Sequence, residues 1–159
     1  MGFYKLVGAL LLALSGVLGA VWMNRRSSMV LRQADGFLAL LRYVKNQVEC
    51  FALPVSEILR RCDPKILSEC GYEGEAVPQR MEELVEACRI EDRETVEHMT
   101  RFSREFGRCY RDEQVQSCDY YCSLLLSRRD ALAGELPGKK KLHSTLCVSG
   151  ALAMVILLI

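Results

Sequence analysis

The sequence contains few of the residues, and none of the short motifs, on which catalysis usually depends. A glycine-rich phosphate loop, a His-Glu-x-x-His zinc motif and a Gly-x-Ser-x-Gly nucleophile motif are all absent. The chain has two histidines, His98 and His143, which are far apart in sequence. His98 stands among charged residues on a polar stretch, so we expect a solvated surface residue rather than a base. These absences predict a protein that is not an enzyme, has no catalytic residues and uses no cofactor or small-molecule substrate.

The chain also has almost no net charge, since 21 Lys and Arg residues are balanced by 20 Asp and Glu residues. Lys5 is the one basic residue outside residues 24–141, and all acidic residues lie inside them, so this stretch carries 20 of each sign. A neutral stretch has no electrostatic field that would attract nucleic acid or an acidic substrate. We therefore expect no nucleic-acid partner.

No Cys-x-x-Cys pair occurs among the eight cysteines, which argues against a zinc site. Cys118 and Cys122 share a helix face at i and i+4, with His98 as the nearest candidate third ligand. Cys147 lies in an apolar run near the carboxyl end, which leaves an odd number, seven, elsewhere. We expect these cysteines to be reduced, small apolar core residues that bind no metal. A redox sensor based on Cys118 and Cys122 is the alternative.

Two uncharged apolar runs, residues 6–23 and 142–159, dominate the hydropathy pattern. Each would make roughly 27 Å of helix, close to the ~30 Å hydrocarbon core of a bilayer. Both are therefore predicted to be transmembrane helices. The first run could also be a cleaved signal peptide. Its length, the bulky Leu18 three places before a cleavage site at Ala20, and Trp22 at an interfacial position favour an uncleaved anchor.

Basic residues flank the middle of the chain on both sides. Arg25 and Arg26 follow the first run, and Lys139, Lys140 and Lys141 precede the second. Because cytoplasmic segments next to membrane spans are enriched in Lys and Arg, the middle region is predicted to be cytoplasmic. The predicted organisation is an anchor at residues 1–23, a cytoplasmic domain at 24–138, and a second transmembrane helix with its basic flank at 139–159.

Apolar residues of the middle region recur at spacings of three and four, which indicates amphipathic helices. No segment alternates at period two for more than four residues. The pattern predicts an all-α antiparallel bundle of about five helices, with breaks at Pro54, Gly71, Gly107 and Leu136-Pro137-Gly138. Pro78 is expected to open one helix and Asp112 to cap the last, residues 112–133. The predicted core consists of Phe37, Leu41, Val48, Ile58, Leu84, Phe102, Phe106, Cys118, Cys122 and Leu125.

Three stretches of the chain resemble the stage III sporulation protein AB family. Residues 141–150, followed by an apolar run, resemble the family's Lys-(Met/Leu)-x-x-x-Leu-Gly-x-x-x-Gly ending. Residues 102–107 with Tyr110 and Gln114 resemble its Phe-Gly-x-x-Leu-Gly-x-x-Asp-x-x-x-Gln segment, and residues 41–55 resemble its helix leading to Thr-Pro-Leu. The likeness extends from end to end. The chain departs from the family pattern at Gln47, Ser103, Tyr110, Pro137-Gly138 and Cys147.

The resemblance implies a function without catalysis. The family belongs to the membrane complex that joins mother cell and forespore during endospore formation. Its soluble domain is similar to the platform protein of type II secretion and type IV pilus machines. The implied partners are a secretion-type ATPase encoded in the same operon and the other membrane components of the channel. The implied location is the outer forespore membrane, on the mother-cell side. A membrane-tethered helical adaptor unrelated to sporulation is an alternative.

Two surfaces are candidates for the partner interface. One is the acidic strip from Glu82 to Glu97, with Glu82, Glu83 and Glu86 as its candidate residues, although mixed charges at helical spacing are also typical of a solvated helix face. The other is the segment in which the resemblance is densest, which could instead be a helix–helix corner held by core aromatics. Its candidate residues are Phe106, Gly107, Tyr110 and Gln114.

Overall fold

A computed structural model describes residues 2–51, 53–74 and 76–158, which form six α-helices and no strand. The predicted all-α class is therefore confirmed. Within this part of the chain, the one β-type pairing is an isolated antiparallel bridge between Tyr72 and Cys88. The helices are α1 (Gly2–Phe51), α2 (Val55–Arg60), α3 (Pro64–Glu69), α4 (Met81–Ala87), α5 (Arg93–Glu105) and α6 (Arg111–Leu158).

The chain divides into two compact units. One is Val30–Leu132, and the other is formed by Met1–Met29 and Ala133–Ile159. A search of the described residues finds no helix that is both long and apolar enough to cross a membrane. The side chains of most residues in the runs 6–23 and 142–159 lie outside the described set. The two membrane spans and the three-part organisation therefore stay predictions.

Several predicted helix ends are confirmed. Helix α1 is uninterrupted and ends at Phe51, ahead of Leu53 and Pro54. Pro54, which has no N–H to leave unsatisfied, is the N-cap of α2. Gly71 (φ 88°) ends α3 in the left-handed conformation that glycine adopts without a steric penalty. Helix α5 ends at Glu105, where Phe106 is already extended, and Gly107 (φ 86°) follows in the turn.

The predicted break at Leu136-Pro137-Gly138 is wrong, because α6 continues through these residues to Leu158. A proline in a helix removes one backbone hydrogen bond and costs about 3 kcal/mol, which helix-favouring turns on both sides can offset. Asp112 is not the cap of this helix but lies in its first turn, where a carboxylate still stabilises the positive end of the helix dipole. Pro78 does not open α4, which begins at Met81 after an extended Arg80.

Helices α1 and α6 are antiparallel in the unit 30–132. Lys45 Nζ lies 2.6 Å from Asp119 Oδ1, and Arg129 Nε donates to Asp35 Oδ1 at 3.0 Å. Further along α1, the Val48 carbonyl accepts from Arg111 Nε at 3.2 Å. Residue numbers rise along α1 as they fall along α6, which establishes the direction of the pairing.

One hydrophobic core fills the unit 30–132. Nine of the ten core residues predicted from the sequence are buried, and Cys122 is half-buried against them. The core also contains buried side chains that are not among the ten residues predicted for it. These are Leu38, Leu40, Val44, Leu59, Cys62, Leu67, Cys70, Met81, Val85, Met99 and Tyr121.

Two polar contacts fix the start of α5. Gln33, buried in α1, donates from Nε2 to the Arg89 carbonyl at 2.6 Å and accepts from the Glu91 N–H at 3.3 Å. Asp92 is the N-cap: its Oδ2 accepts from the Thr95 N–H at 2.9 Å, and its Oδ1 lies 2.7 Å from Arg128 Nη2 of α6. Hydrogen bonding to Arg128 lowers the pKa of Asp92 to about 2.

Candidate partner interface

The corner between α5 and α6 is built on Phe106, which faces inward, and on the exposed Gly107. Phe106 is buried, and its ring centroid lies 5.0 Å from that of Phe102. A Cβ atom at Gly107 would lie 3.1 Å from Val55 Cγ2, so the turn passes close to α2. Phe106 and Gly107 thus form a corner held by core aromatics, which positions the residues that follow.

Tyr110 is the residue that this corner presents to solvent, and 84% of it is exposed. The backbone beneath it is fixed by Gln114, whose Nε2 donates to the Cys109 carbonyl at 2.7 Å and whose N–H donates to the Tyr110 carbonyl at 2.9 Å. Gln114 therefore orders the turn, while Tyr110 offers a large contact surface at little cost in backbone entropy.

Arg111 ties the same corner to the end of α1, a role that the sequence analysis missed. Its guanidinium donates to the carbonyl of Val48 at 3.2 Å and also to that of Glu49. The last carbonyls of a helix have no intrahelical partner, so the Arg111 side chain caps α1. Its positive charge also interacts favourably with the negative end of the helix dipole. No local pattern indicates such a contact, because Arg111 and Glu49 are 62 residues apart.

The glutamates of α4 differ in the partners they have. Glu82 Oε1 lies 3.1 Å from Arg108 Nη2. Glu83 accepts from the Gln79 N–H at 3.0 Å and from Arg80 Nε at 2.9 Å, and these hydrogen bonds lower its pKa. Glu86 is exposed. The Glu82–Arg108 contact brings α4 next to the turn that carries Tyr110, so the two candidate surfaces meet. We call Glu82, Glu86, Arg108 and Tyr110 the corner surface.

The remaining acidic residues of the strip have intrachain partners. Arg128 contacts both Asp92, as described, and Glu94, at 3.0 Å. Glu97 Oε1 lies 2.6 Å from Arg101 Nη2, one helical turn further along α5. This stretch therefore carries compensated charge, as expected of a helix face that is stabilised within the chain.

The structure does not support a thiol chemistry at Cys118 and Cys122. Burial raises the pKa of Cys118 to about 12 and also raises that of Cys122, so neither forms the reactive thiolate at neutral pH. Within the described part of the chain, no group of three or more His, Cys, Asp or Glu residues is arranged to hold a metal ion. His98 differs from its prediction: only 19% of its side chain is exposed, and its Nε2 lies 3.9 Å from Glu94 Oε1.

Comparison with known proteins matches the chain to a family. The model of a family described as stage III sporulation protein AB matches residues 5–159, nearly the whole chain. No curated protein and no solved structure matches the chain.

Proposed function

The chain belongs to the stage III sporulation protein AB family and has a role in that stage of sporulation, and we propose that this role is that of a non-enzymatic membrane platform. In this proposal it is a component of the channel complex between mother cell and forespore, and it docks a cytoplasmic secretion-type ATPase encoded in the same operon. The domain between the anchors faces the mother-cell cytoplasm from the outer forespore membrane.

The observation that carries the docking proposal is the exposure of the Tyr110 ring on an ordered turn. Tyrosine is enriched among the residues that dominate binding energy at protein interfaces, because it buries a large area with few rotatable bonds. Tyr110 is highly exposed, yet Gln114 holds the backbone on its amino side and Arg111 holds it on its carboxyl side. An exposed ring on an ordered turn offers a partner a large contact area at little cost in backbone ordering, which favours this turn as the docking surface.

The sequence supports the membrane part of the proposal. Residues 6–23 and 142–159 carry no formal charge, and both are flanked by basic residues on the side of the middle domain. Such a chain would be held at a membrane surface at both ends, which suits a platform that receives a soluble partner.

A binding assay with the full-length chain in nanodiscs tests the docking proposal. The purified operon ATPase is titrated onto nanodiscs that carry wild-type protein, Tyr110→Ala or Tyr120→Ala. Tyr120 is the matched control, since it is an exposed tyrosine (58%) on α6 outside the corner surface. We expect Tyr110→Ala to weaken binding at least tenfold, and Tyr120→Ala to leave it within twofold, because truncation of a central interface tyrosine commonly costs more than ~1.4 kcal/mol.

Charge reversal separates the two halves of the corner surface. Glu86→Lys changes an exposed charge, whereas Glu82→Lys also breaks the contact with Arg108. Weakened binding by both variants would assign α4 to the interface, and an effect of Glu82→Lys alone would assign the turn. If wild-type protein does not bind the ATPase, the platform proposal fails and an adaptor with a different partner is the better reading.

A further inference from the structure

A second large aromatic side chain is exposed near Tyr110, at the same end of the unit 30–132. Phe51 is the last residue of α1, and 66% of it is exposed. Two residues earlier, the Glu49 carbonyl accepts from Arg111, which directly follows Tyr110. The chain beyond Phe51 also returns to this turn, since Gly107 lies next to the first residue of α2. The unit thus exposes two aromatic rings at one end.

The register of α1 on α6 supports this placement of Phe51. Asp35 pairs with Arg129, and Lys45 pairs with Asp119, so ten residues forward along α1 correspond to ten residues back along α6. When the same register is continued to the end of α1, Phe51 is level with the first turn of α6. The two helix ends therefore form one surface.

Three carboxylates surround the exposed rings. Glu49, Asp112 and Glu113 are all exposed, and no residue that the structure describes forms an ion pair or a hydrogen bond with their side chains. Lys45, one turn before Glu49, contacts α6 instead, and Arg111 donates to backbone carbonyls of α1. These carboxylates therefore differ from those of the acidic strip that have arginine partners.

The stability of the helices accounts for only part of this negative charge. Asp112 and Glu113 lie in the first turn of α6, where a carboxylate stabilises the positive end of the helix dipole. Glu49 lies in the last turn of α1, which is the negative end of that dipole, so its charge is unfavourable there. A cationic partner from outside the chain would offset this cost.

We propose that this end of the unit binds a segment of the partner ATPase in which apolar side chains are flanked by lysine or arginine. The tip surface consists of Glu49, Phe51, Tyr110, Asp112 and Glu113. The two rings would form the apolar centre of the interface, and the carboxylates would form its charged rim. The inference rests on the docking function proposed above and adds the chemistry of the segment that docks.

The charge of the tip surface disfavours other occupants. Two copies of the chain that met through this surface would bring their unpaired carboxylates together, and like charges placed opposite each other repel. Nucleic acid and anionic lipid are disfavoured for the same reason. A basic, apolar protein segment complements both the rings and the carboxylates.

The salt dependence of ATPase binding tests the inference. The purified ATPase is titrated onto phosphatidylcholine nanodiscs that carry the full-length chain, at NaCl concentrations from about 0.05 M to about 0.5 M. We expect the affinity of wild-type protein to fall about tenfold over this range, because salt screens exposed charges. Phe51→Ala should weaken binding about tenfold at every salt concentration.

Neutral variants of the carboxylates identify the charges that are responsible. Glu49→Gln and Glu113→Gln should each weaken binding about threefold at low salt and have little effect at high salt. The matched control is Glu73→Gln, which removes an exposed carboxylate between α3 and α4 that likewise has no ion pair in the described part of the chain. The control should bind as wild-type protein does. Glu49→Gln should keep or raise Tm, so its weaker binding would not reflect a loss of folded protein.

The outcomes separate this inference from the function on which it rests. Wild-type binding that does not depend on salt and is unchanged by Glu49→Gln and Glu113→Gln would refute the tip surface and leave the platform proposal intact. Tighter binding by these variants would show an acidic partner surface and would also overturn the inference. Nanodiscs that pair without ATPase, and no longer pair in Phe51→Ala, would assign the surface to a second copy of the chain. No binding of ATPase by wild-type protein would refute the platform proposal, and this inference with it.

Discussion

Gly36→Ala is a substitution for which helix propensity and packing predict opposite results. Gly36 lies inside α1, where alanine is more favourable than glycine by roughly 0.5–1 kcal/mol. A Cβ atom at this position, however, would lie 2.7 Å from the carbonyl carbon of Glu69 and 2.9 Å from the backbone nitrogen of Cys70. Both distances are shorter than the contacts that Cβ atoms make with backbone atoms in folded proteins.

The atoms that the new methyl group would meet are backbone atoms, so no rotamer change relieves the clash. The end of α3 would have to move away from α1, and the buried Cys70 and Leu67 would move with it. Overpacking of this kind costs about 1–3 kcal/mol. After the gain in propensity is subtracted, we expect a net loss of about 1 kcal/mol, with a range of roughly 0–2.5.

Thermal unfolding of the full-length chain in detergent, followed by far-ultraviolet circular dichroism, measures the effect. A loss of about 1 kcal/mol lowers the Tm of a unit of this size by roughly 4–8 °C. Gly134→Ala is the matched control: Gly134 also lies inside a helix, but nothing would lie within 4 Å of its new Cβ, so its substitution should leave Tm unchanged or raise it. If Gly36→Ala raises Tm as Gly134→Ala does, the close contact of α1 with α3 is not present in solution.

Two further predictions concern buried polar and thiol groups. Asp92→Asn should keep the N-cap of α5 but remove the charge partner of Arg128. We expect this change to lower the free energy of unfolding by about 1–2 kcal/mol at neutral pH. Because folding lowers the pKa of Asp92 from 3.8 to about 2, its charge stabilises the fold above pH ~4, and the urea midpoints of wild-type and variant should converge as pH falls toward 2. Cys118→Ala should lower the free energy of unfolding by about 1 kcal/mol or more, and Cys122→Ala by less, because Cys118 is fully buried and Cys122 half-buried. We expect wild-type protein and both variants to contain no bound zinc, and stoichiometric zinc in the purified wild-type protein would contradict this.

Local signals in the sequence were sufficient for most of the helices. Pro54 and Gly71 mark helix ends because of their own backbone chemistry, whatever their neighbours are. The apolar spacing that predicted Phe37, Leu41 and Leu125 in the core depends only on the helical period. The same local reasoning failed at Pro137. The cost of a proline inside a helix predicted a break there, but the helical stretches on both sides continue through it as one helix.

The contacts that build the corner surface could not be predicted in this way. Glu82 and Arg108 are 26 residues apart, and Arg111 reaches a carbonyl of α1 that is 62 residues away. Each of these side chains has many oppositely charged or polar residues at a similar distance in sequence. Only the packing of α4, α5 and α6 on α1 selects the partners that are made.

Because these contacts pair charges within the chain, they leave fewer carboxylates available to a partner. The acidic strip looks like a docking face in sequence because seven carboxylates lie between residues 82 and 97. In the structure, Glu82, Glu83, Asp92, Glu94 and Glu97 contact arginines of the same chain. A carboxylate that already has an arginine partner gains little from a second cation, since it must give up part of the first contact. In the proposed docking we therefore expect shape and apolar area to contribute more than these paired charges, so truncation of Tyr110 should affect ATPase binding more than reversal of Glu82, whose carboxylate already contacts Arg108.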